Sequence, residues 1–346
     1  MTFIEAIAAV EAKTSLTRSQ AREAFTWLME GKATPAQIAA LLMGLRAKGE
    51  TVEELAGAAE SMRQAAIPVS HSFQVLVDTC GTGGDGTKSF NVSTAAAFVV
   101  AGAGFSVAKH GNRSVSSQCG SADVLEELGI PVETSAAVAG RCLREAHIAF
   151  LFAPAFHPAM KHAMPVRREL GVRTIFNLLG PLTNPARPTV QLVGVYAPEW
   201  VEPLARVLAE LGCRQGAVVH GQGFDEVALS GPTTVAEIRD GKVQLLEWSP
   251  EDFGLTRQPA GRLAGGSRQQ NAKIIMDLIE GKASPYRDAV CMNAAAAMAA
   301  AFRLQGAPKS LKNAFRLAQE SIDGQKALQA LRRLKECLRE DAERHG

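Results

Sequence analysis

Asp78-Thr79-Cys80-Gly81-Thr82-Gly83-Gly84-Asp85-Gly86-Thr87-Lys88-Ser89 is the stretch whose composition first points to chemistry. An apolar run, Val75-Leu76-Val77, precedes it, and a helical pattern from about Ser93 to Ala103 follows. Glycines in a strand-to-helix loop let the backbone approach an anion, and its N–H groups can cradle phosphate oxygens. Two better-known phosphate motifs nearly fit. Gly81, Gly83 and Gly86 satisfy G-x-G-x-x-G, but the next strand ends at Lys109-His110, where a dinucleotide fold needs an acid for the ribose. A Walker loop needs Lys directly after its last glycine, and Thr87 separates Gly86 from Lys88. A ligand-free glycine turn is the plain alternative. Asp85 weighs against it, because a carboxylate among phosphate-binding amides is useful only towards a hydroxyl or a metal. Neither a Gly-x-Ser-x-Gly elbow nor a His-Glu-x-x-His pattern occurs, so hydrolase and zinc-peptidase chemistry lacks support.

The elements that must position this loop fall into two groups. Thr2 precedes Glu5 by three residues, and the pairs Thr17/Gln20, Thr34/Gln37 and Thr51/Glu54 repeat the spacing. Each is a capping-box pattern, so the first 66 residues read as four helices. Pro35 after Thr34 strengthens one start, Gly31 and Gly49 act as stops, and Ala21, Phe25 and Leu28 make an apolar stripe. Beyond Ile67-Pro68 the pattern changes. Strand-like runs at 105–108, 148–152, 190–196 and 217–220 alternate with helical patterns at 121–128, 158–170 and 201–211. Such alternation predicts an α/β domain with a largely parallel sheet. From about Ser267 the chain returns to helix, and the Ala-rich 294–301 stretch reads as a tightly packed helix.

With 346 residues, two domains are expected. Lys and Arg number 37 against 35 Asp and Glu, a balance that argues against nucleic acid as the main partner while allowing a local basic pocket. The six cysteines have no CxxC spacing, the amino terminus lacks a basic leader, and Asn293 interrupts the longest apolar stretch. The expectation is a cytoplasmic protein without a membrane span.

The blocks Gly81-Thr82-Gly83-Gly84-Asp85, Asn91-Val92-Ser93-Thr94, Lys109-His110-Gly111-Asn112-Arg113-Ser114 and Gly120-Ser121-Ala122-Asp123 resemble successive motifs of the anthranilate phosphoribosyltransferases, at the site for phosphoribosyl pyrophosphate (PRPP). His157-Pro158-Ala159-Met160 and the run from Arg173 to Pro185 resemble that family's anthranilate side, and His220-Gly221 with Asp225-Glu226 its metal segment. The resemblance runs essentially end to end. It implies transfer of the phosphoribosyl group from PRPP to the amine of anthranilate, a step of tryptophan biosynthesis, with Mg²⁺ as cofactor. It implies a small all-helical N-terminal domain, residues 1–70, completed by a segment near 165–190. The larger α/β domain, residues 71–346, has a central, largely parallel sheet surrounded by helices.

By resemblance, PRPP meets Gly81, Thr82, Gly83, Gly84, Asp85, Thr87, Asn91, Ser93, Thr94, Lys109, Gly111, Asn112, Ser117, Gly120 and Ser121. Anthranilate meets Gly81, His110, Asn112, His157, Arg167 and Pro181, and Ser93, Asp225 and Glu226 hold the metal. Arg167 is the choice for the acceptor's carboxylate, since a guanidinium fork matches it; Arg168 points about 100° away on a helix and reads as a surface charge. His157 reads as a binding or structural residue before a general base, because an aromatic amine is already neutral at pH 7. No side chain is assigned as general acid or base. Homodimers through an apolar face of the first three helices are expected, and neither nucleic acid nor membrane is an expected partner. Two other readings stay open. A pyrimidine nucleoside phosphorylase-like enzyme shares the architecture, and a nucleic-acid-binding relative could keep the fold without the activity.

Overall fold

All four capping boxes form. The hydroxyls of Thr2, Thr17, Thr34 and Thr51 accept from the N–H groups of Glu5, Gln20, Gln37 and Glu54, whose side chains return to the capping N–H. Each cap contributes about 1 kcal/mol. The helices they start are α1 (Phe3–Glu11), α2 (Arg18–Met29), α3 (Pro35–Lys48) and α4 (Val52–Ala65). Glu54 does more than cap. Its buried carboxylate also accepts from Leu16 N at 2.9 Å and pairs with Lys48 Nζ at 2.9 Å, joining the start of α4 to the end of α3. The computed structural model describes residues 1–87, 89–114, 118–259 and 261–345.

The remaining chain forms β1 (Leu76–Asp78), α5 (Val92–Gly102), β2 (Ser106–Gly111), α6 (Ser121–Glu127), α7 (Ala136–Glu145), β3 (Ile148–Phe152), α8 (Ala153–Phe156), α9 (Met164–Leu170) and α10 (Phe176–Leu179). Then come β4 (Val190–Gly194), α11 (Val201–Glu210), β5 (Gln215–Gly221), β6 (Thr233–Arg239) and β7 (Lys242–Trp248). Four helices close the chain: α12 (Arg268–Ile279), α13 (Pro285–Leu304), α14 (Leu311–Asp323) and α15 (Lys326–His345). The single sheet has the order β3-β2-β1-β4-β5-β6-β7. Pairing from β3 through β5 is parallel, while β6 and β7 form an antiparallel hairpin on its edge. The parallel strands therefore end on one side, where ligands of α/β proteins gather.

Two departures from the sequence reading have physical causes. The predicted helix over 158–170 breaks into a 3₁₀ turn, Pro158–His162, and α9. Pro165 lacks an N–H and its ring crowds the preceding turn, so one helix cannot run through. The β6–β7 hairpin escapes the sequence reading, because its apolar residues never make a run longer than two; β6 is mostly buried and β7 mostly exposed. Its turn, Asp240-Gly241, takes positive φ at both residues (47° and 80°), the conformation that Asp-Gly favours between strands.

Two apolar cores result. One surrounds α5 and α13; every residue of α13 from Ala289 to Ala301 is buried, its small side chains letting neighbours approach closely. The other joins the first four helices to Ala163, Val166, Ile175, Phe176 and Leu182, and continues to α11 and one face of the sheet. Phe25 and Phe176 meet edge to face at 5.8 Å within it. All six cysteines are buried free thiols, and among the described residues no helix is long and apolar enough to cross a membrane.

Candidate active site at the carboxyl ends of the strands

β1 delivers Asp78 into the protein interior, where its carboxylate accepts from Cys80 N (3.0 Å), His110 N (3.2 Å) and Asn184 Nδ2 (2.8 Å). Asn184 also donates to Ala108 O at 2.8 Å. One buried carboxylate thus binds the glycine loop, the end of β2 and the 184 turn together. Burial pushes its carboxyl up, opposed by the nearby charge of Lys109.

The glycine loop leaves β1 and is held against β4. Thr82 N donates to Gly194 O at 2.8 Å, and Tyr196 N donates to Thr82 Oγ1 at 3.1 Å. Gly194 has no room for a side chain, since a Cβ there would stand 1.5 Å from Asp225 O. Gly83, Gly84 and Gly86 take left-handed φ of 62°, 79° and 82°. Asp85 accepts from Thr87 N (3.0 Å) and Thr87 Oγ1 (2.6 Å), and its Oδ2 also receives Asp225 N at 3.3 Å. The loop's carboxylate therefore serves a hydroxyl and faces the acidic pair that follows β5.

That pair directly follows a turn closed by Gly221 and Phe224, each donating its N–H to the other's carbonyl at 2.9 Å. Asn293, the polar interruption within α13, accepts from Val227 N at 3.0 Å and fixes the turn from below. Glu226 Oε1 accepts from Ser93 N at 3.2 Å in the first turn of α5. Burial, then the charge of Asp85, pushes Asp225 up to about 8; burial and Asp225 push Glu226 well above the carboxylate range. Both keep part of their surface open to the cleft. Among the described residues no three acidic, His or Cys side chains form a complete metal cage. Magnesium does not need one, since it takes one or two carboxylates and completes its octahedron with water and substrate phosphates. Carboxylates crowded until they hold protons against their ordinary tendency are a donor set suited to a hard divalent cation.

At the end of β2, the buried Lys109 donates Nζ to His110 O at 3.0 Å. Its charge reaches Asp78 and Glu226 without a direct ion pair to either among the described residues. Beyond Gly111, Asn112 and Ser121 clasp each other: Asn112 N donates to Ser121 Oγ, and Oγ donates to Asn112 O, both at 3.1 Å. Asp123 accepts from Gly120 N (2.8 Å) and Ser114 N (3.2 Å), and Arg113 bonds both Asp123 and Glu126. Ser117 lies outside the described residues. Asn91 donates to Cys119 O (3.1 Å) and accepts from Asn271 Nδ2 (2.9 Å), so its side chain ties α5 and α12 together. Thr79 Oγ1 donates to Ser93 O at 2.8 Å, and the buried Thr94 hydroxyl makes no hydrogen bond among the described residues.

The end of β2 also brings two imidazoles together. His110 and His157 lie with ring centroids 5.4 Å apart. Nδ1 of His110 stands 3.0 Å from Gly180 O; a carbonyl can only accept, so Nδ1 carries the proton and Nε2 is left as an acceptor. Both Nε2 atoms are buried and make no hydrogen bond among the described residues. Burial keeps the rings neutral, taking His157 down to about 4 and His110 well below its ordinary value, with His157 adding to the latter. Pro181, next to Gly180, is buried and accepts from Gln191 Nε2 at 3.0 Å.

Arg167 on α9 lies over the Phe176 ring at 5.1 Å and points Nη1 at Met164 Sδ, 3.7 Å away. No carboxylate pairs with it among the described residues, and burial lowers its pKa. Arg168 is exposed. The sequence places Arg173 only at the start of the run resembling the anthranilate side, with no role of its own; it stacks on Tyr196 at 4.4 Å and donates to Gly84 O, reaching from the 171–175 segment to the glycine loop. Asp78, Gly194 and Asn293 were missed likewise, and the strand-end position of the first two was the only local signal.

A helical bundle set against an α/β body, with an anion loop and acidic pair at the strand ends, defines a glycosyl transferase. Residues 4–66 match the glycosyl transferase family's helical bundle domain, and residues 73–328 match its a/b domain. The chain is 54% identical over 322 residues to the anthranilate phosphoribosyltransferase of Symbiobacterium thermophilum, covering 93% of each. The Thermus thermophilus enzyme of that name superposes with a TM-score of 0.90 at 43% identity, covering 96% of this chain and 99% of that one. The Saccharomyces cerevisiae enzyme in complex with PRPP and Mg superposes with a TM-score of 0.88 at 27% identity, covering 98% of both chains. The chain belongs to the anthranilate phosphoribosyltransferase family. These relatives favour that reading over a nucleoside phosphorylase or a nucleic-acid-binding relative.

Proposed function

We propose that this cleft transfers the phosphoribosyl group of PRPP to the amine of anthranilate in tryptophan biosynthesis, releasing pyrophosphate. The observation that supports the proposal is the meeting of the glycine loop's Asp85 with Asp225, and of Ser93 with Glu226, at the carboxyl ends of the strands.

The amine nitrogen forms a bond to the ribose anomeric carbon as the carbon–oxygen bond to pyrophosphate breaks, its electron pair leaving with pyrophosphate. The nitrogen then gives a proton to solvent. Backbone N–H groups of the 81–85 loop face the pyrophosphate, and Thr82 and Thr87 hold the loop in shape. Asn112, Gly120 and Ser121 shape the β2–α6 wall for the ribose phosphate, and Lys109 adds a fixed positive charge beneath it. Ser93, Asp225 and Glu226 would hold Mg²⁺, which screens the charge building on the leaving group. Neutral His110 and His157 offer lone pairs to the amine's N–H groups and so aim its nitrogen. Arg167, braced on Phe176, takes the acceptor's carboxylate. Positioning and charge screening supply the acceleration, and no side chain acts as general base.

Anthranilate fluorescence tests the reaction. It should fall only when protein, PRPP and Mg²⁺ are all present. In Arg167→Ala, losing a charged hydrogen-bond partner worth about 1.5–3 kcal/mol should raise the KM for anthranilate roughly tenfold to a hundredfold and leave the KM for PRPP near its original value. A stable fluorescence with folded wild-type protein would refute the assignment. The helical unit, residues 1–70 with the returning segment near 165–190, is also the proposed dimer surface, in support of which Ile4 (66% exposed), Trp27 (40%) and Met43 (38%) leave apolar area on α1, α2 and α3.

A further inference from the structure

Behind the cleft, at the amino ends of β4 and β5, a second cavity of about 560 Å³ opens between α4, the end of α11 and the turn before β4. Its charged lining is Glu60, Arg63, Arg187 and Glu210. The two carboxylates are already engaged: Arg18 binds Glu60 at 2.6 Å and Glu210 at 2.6 Å. Neither Arg63 nor Arg187 has an ion-pair partner among the described residues, and the charge of Arg187 acts against that of Arg63. The charge of Glu60 reaches Arg63 and partly offsets that repulsion, but both carboxylates are shared with Arg18, so the two guanidiniums keep an electrostatic cost that a bound anion would reduce.

Arg63 is also held in place. Its Nε donates to Leu182 O at 2.6 Å and its Nη1 to Leu211 O at 2.7 Å, which leaves Nη2 available to the cavity. Arg187 stands at the rim, exposed, its backbone in the left-handed region at φ 48°. The cavity volume falls in the range of small-molecule sites. Ala66, Pro68 and Leu211 give it apolar walls.

We propose that this cavity is a second ligand site, taking a compact dianion (a small dicarboxylate or a phosphate-bearing metabolite) between Arg63 and Arg187. Its Arg63 anchor on Leu182 O is one residue from Pro181 and two from Gly180, the carbonyl that orients His110. Occupancy therefore bears on the segment that shapes the acceptor wall.

Calorimetric titration of the metal-free protein with malonate, and separately with inorganic phosphate, tests the site. Three proteins are compared: wild type, Arg187→Ala at the exposed rim, and Lys109→Ala in the active site. At least one anion should bind wild type and Lys109→Ala with millimolar or better affinity at a site that Arg187→Ala weakens about tenfold, and any phosphate binding lost only in Lys109→Ala is assigned to the active site. Malonate alone would identify the site with dicarboxylates, and phosphate alone with phosphorylated ligands. Loss in Lys109→Ala instead, equal binding by all three proteins, or no binding up to about 10 mM would overturn the proposal. The readout is binding, so it stands or falls independently of the transferase activity.

Discussion

Replacing Asp225 by Asn separates what the acidic turn does for catalysis from what it does to stability. In the metal-free protein Asp225 is pushed from an ordinary 3.8 up to about 8, by burial and by Asp85. The folded protein keeps a proton there that the unfolded chain has released, so stability falls as pH rises between those two values. At about 1.4 kcal/mol per pH unit, the ceiling near pH 8 is roughly 6 kcal/mol. Asp225 is only partly buried and lies beside Glu226, whose carboxyl is raised with it, which reduces the expected effect to about 1–3 kcal/mol. Asn cannot ionise, still accepts from Gly83 N, and can donate to Asp85. In EDTA at pH 8 the variant should melt roughly 2–5 °C above wild type, with a gap that closes as pH falls towards 5. Activity should drop by about two orders of magnitude at millimolar Mg²⁺, as for loss of a charge-stabilising group. Thermal melts across pH, with and without Mg²⁺, and the fluorescence assay supply both numbers. An Asn variant less stable than wild type in EDTA at pH 8, or one that keeps wild-type dependence on Mg²⁺, would refute the reasoning.

Gly194→Ala places a methyl against Asp225 O, so β4 or the acidic turn must shift; activity should fall at least about tenfold, as for an ångström-scale misplacement, and a variant with wild-type kcat would count against the turn's assigned place. His157 stays neutral down to about 4 when folded, whereas the unfolded chain takes its proton near 6.5. Stability should therefore drop as pH falls between those values, by roughly 3 kcal/mol at most from this residue, and His157→Asn should flatten the acid side of the melting profile. An unchanged slope would show that the buried charge penalty lies elsewhere. Trp27→Asp puts a charge on the exposed apolar face and should shift a dimer to monomer in light scattering at micromolar concentration; a wild-type monomer would dismiss the surface as a dimer contact.

Much of this was legible because it is written locally. A Thr and an acid or amide three residues apart cap a helix wherever they fall, so all four amino-terminal starts were readable from 346 letters. The glycine loop and the Asp225-Glu226 turn were readable for the same reason, as each is a contiguous run of unusual composition. What escaped acts across the chain. Asn293 looked like a flaw in an apolar helix, yet it accepts from Val227, 66 positions earlier. Asp78 gathers Cys80, His110 and Asn184, and only two of those contacts are foreseeable once strand order is known. The β6–β7 hairpin, signalled by Asp240-Gly241 between two short mixed stretches, escaped because neither stretch is a continuous apolar run like those of the parallel strands.

The amino-terminal helices do not complete their own core. Val166, Ile175, Phe176, Leu179 and Leu182 fill the face that α2, α3 and α4 leave open, and they arrive only after three strands of the sheet have been laid down. On the ribosome, then, the first helices emerge with an apolar face uncovered until residue 182 is outside. At about 5–20 residues per second the delay is on the order of ten seconds. Through that interval the four capping boxes fix each helix start within its own turn. Packing among the helices and the links of Glu54 to Leu16 N and Lys48 set them against one another for the segment that will seal them.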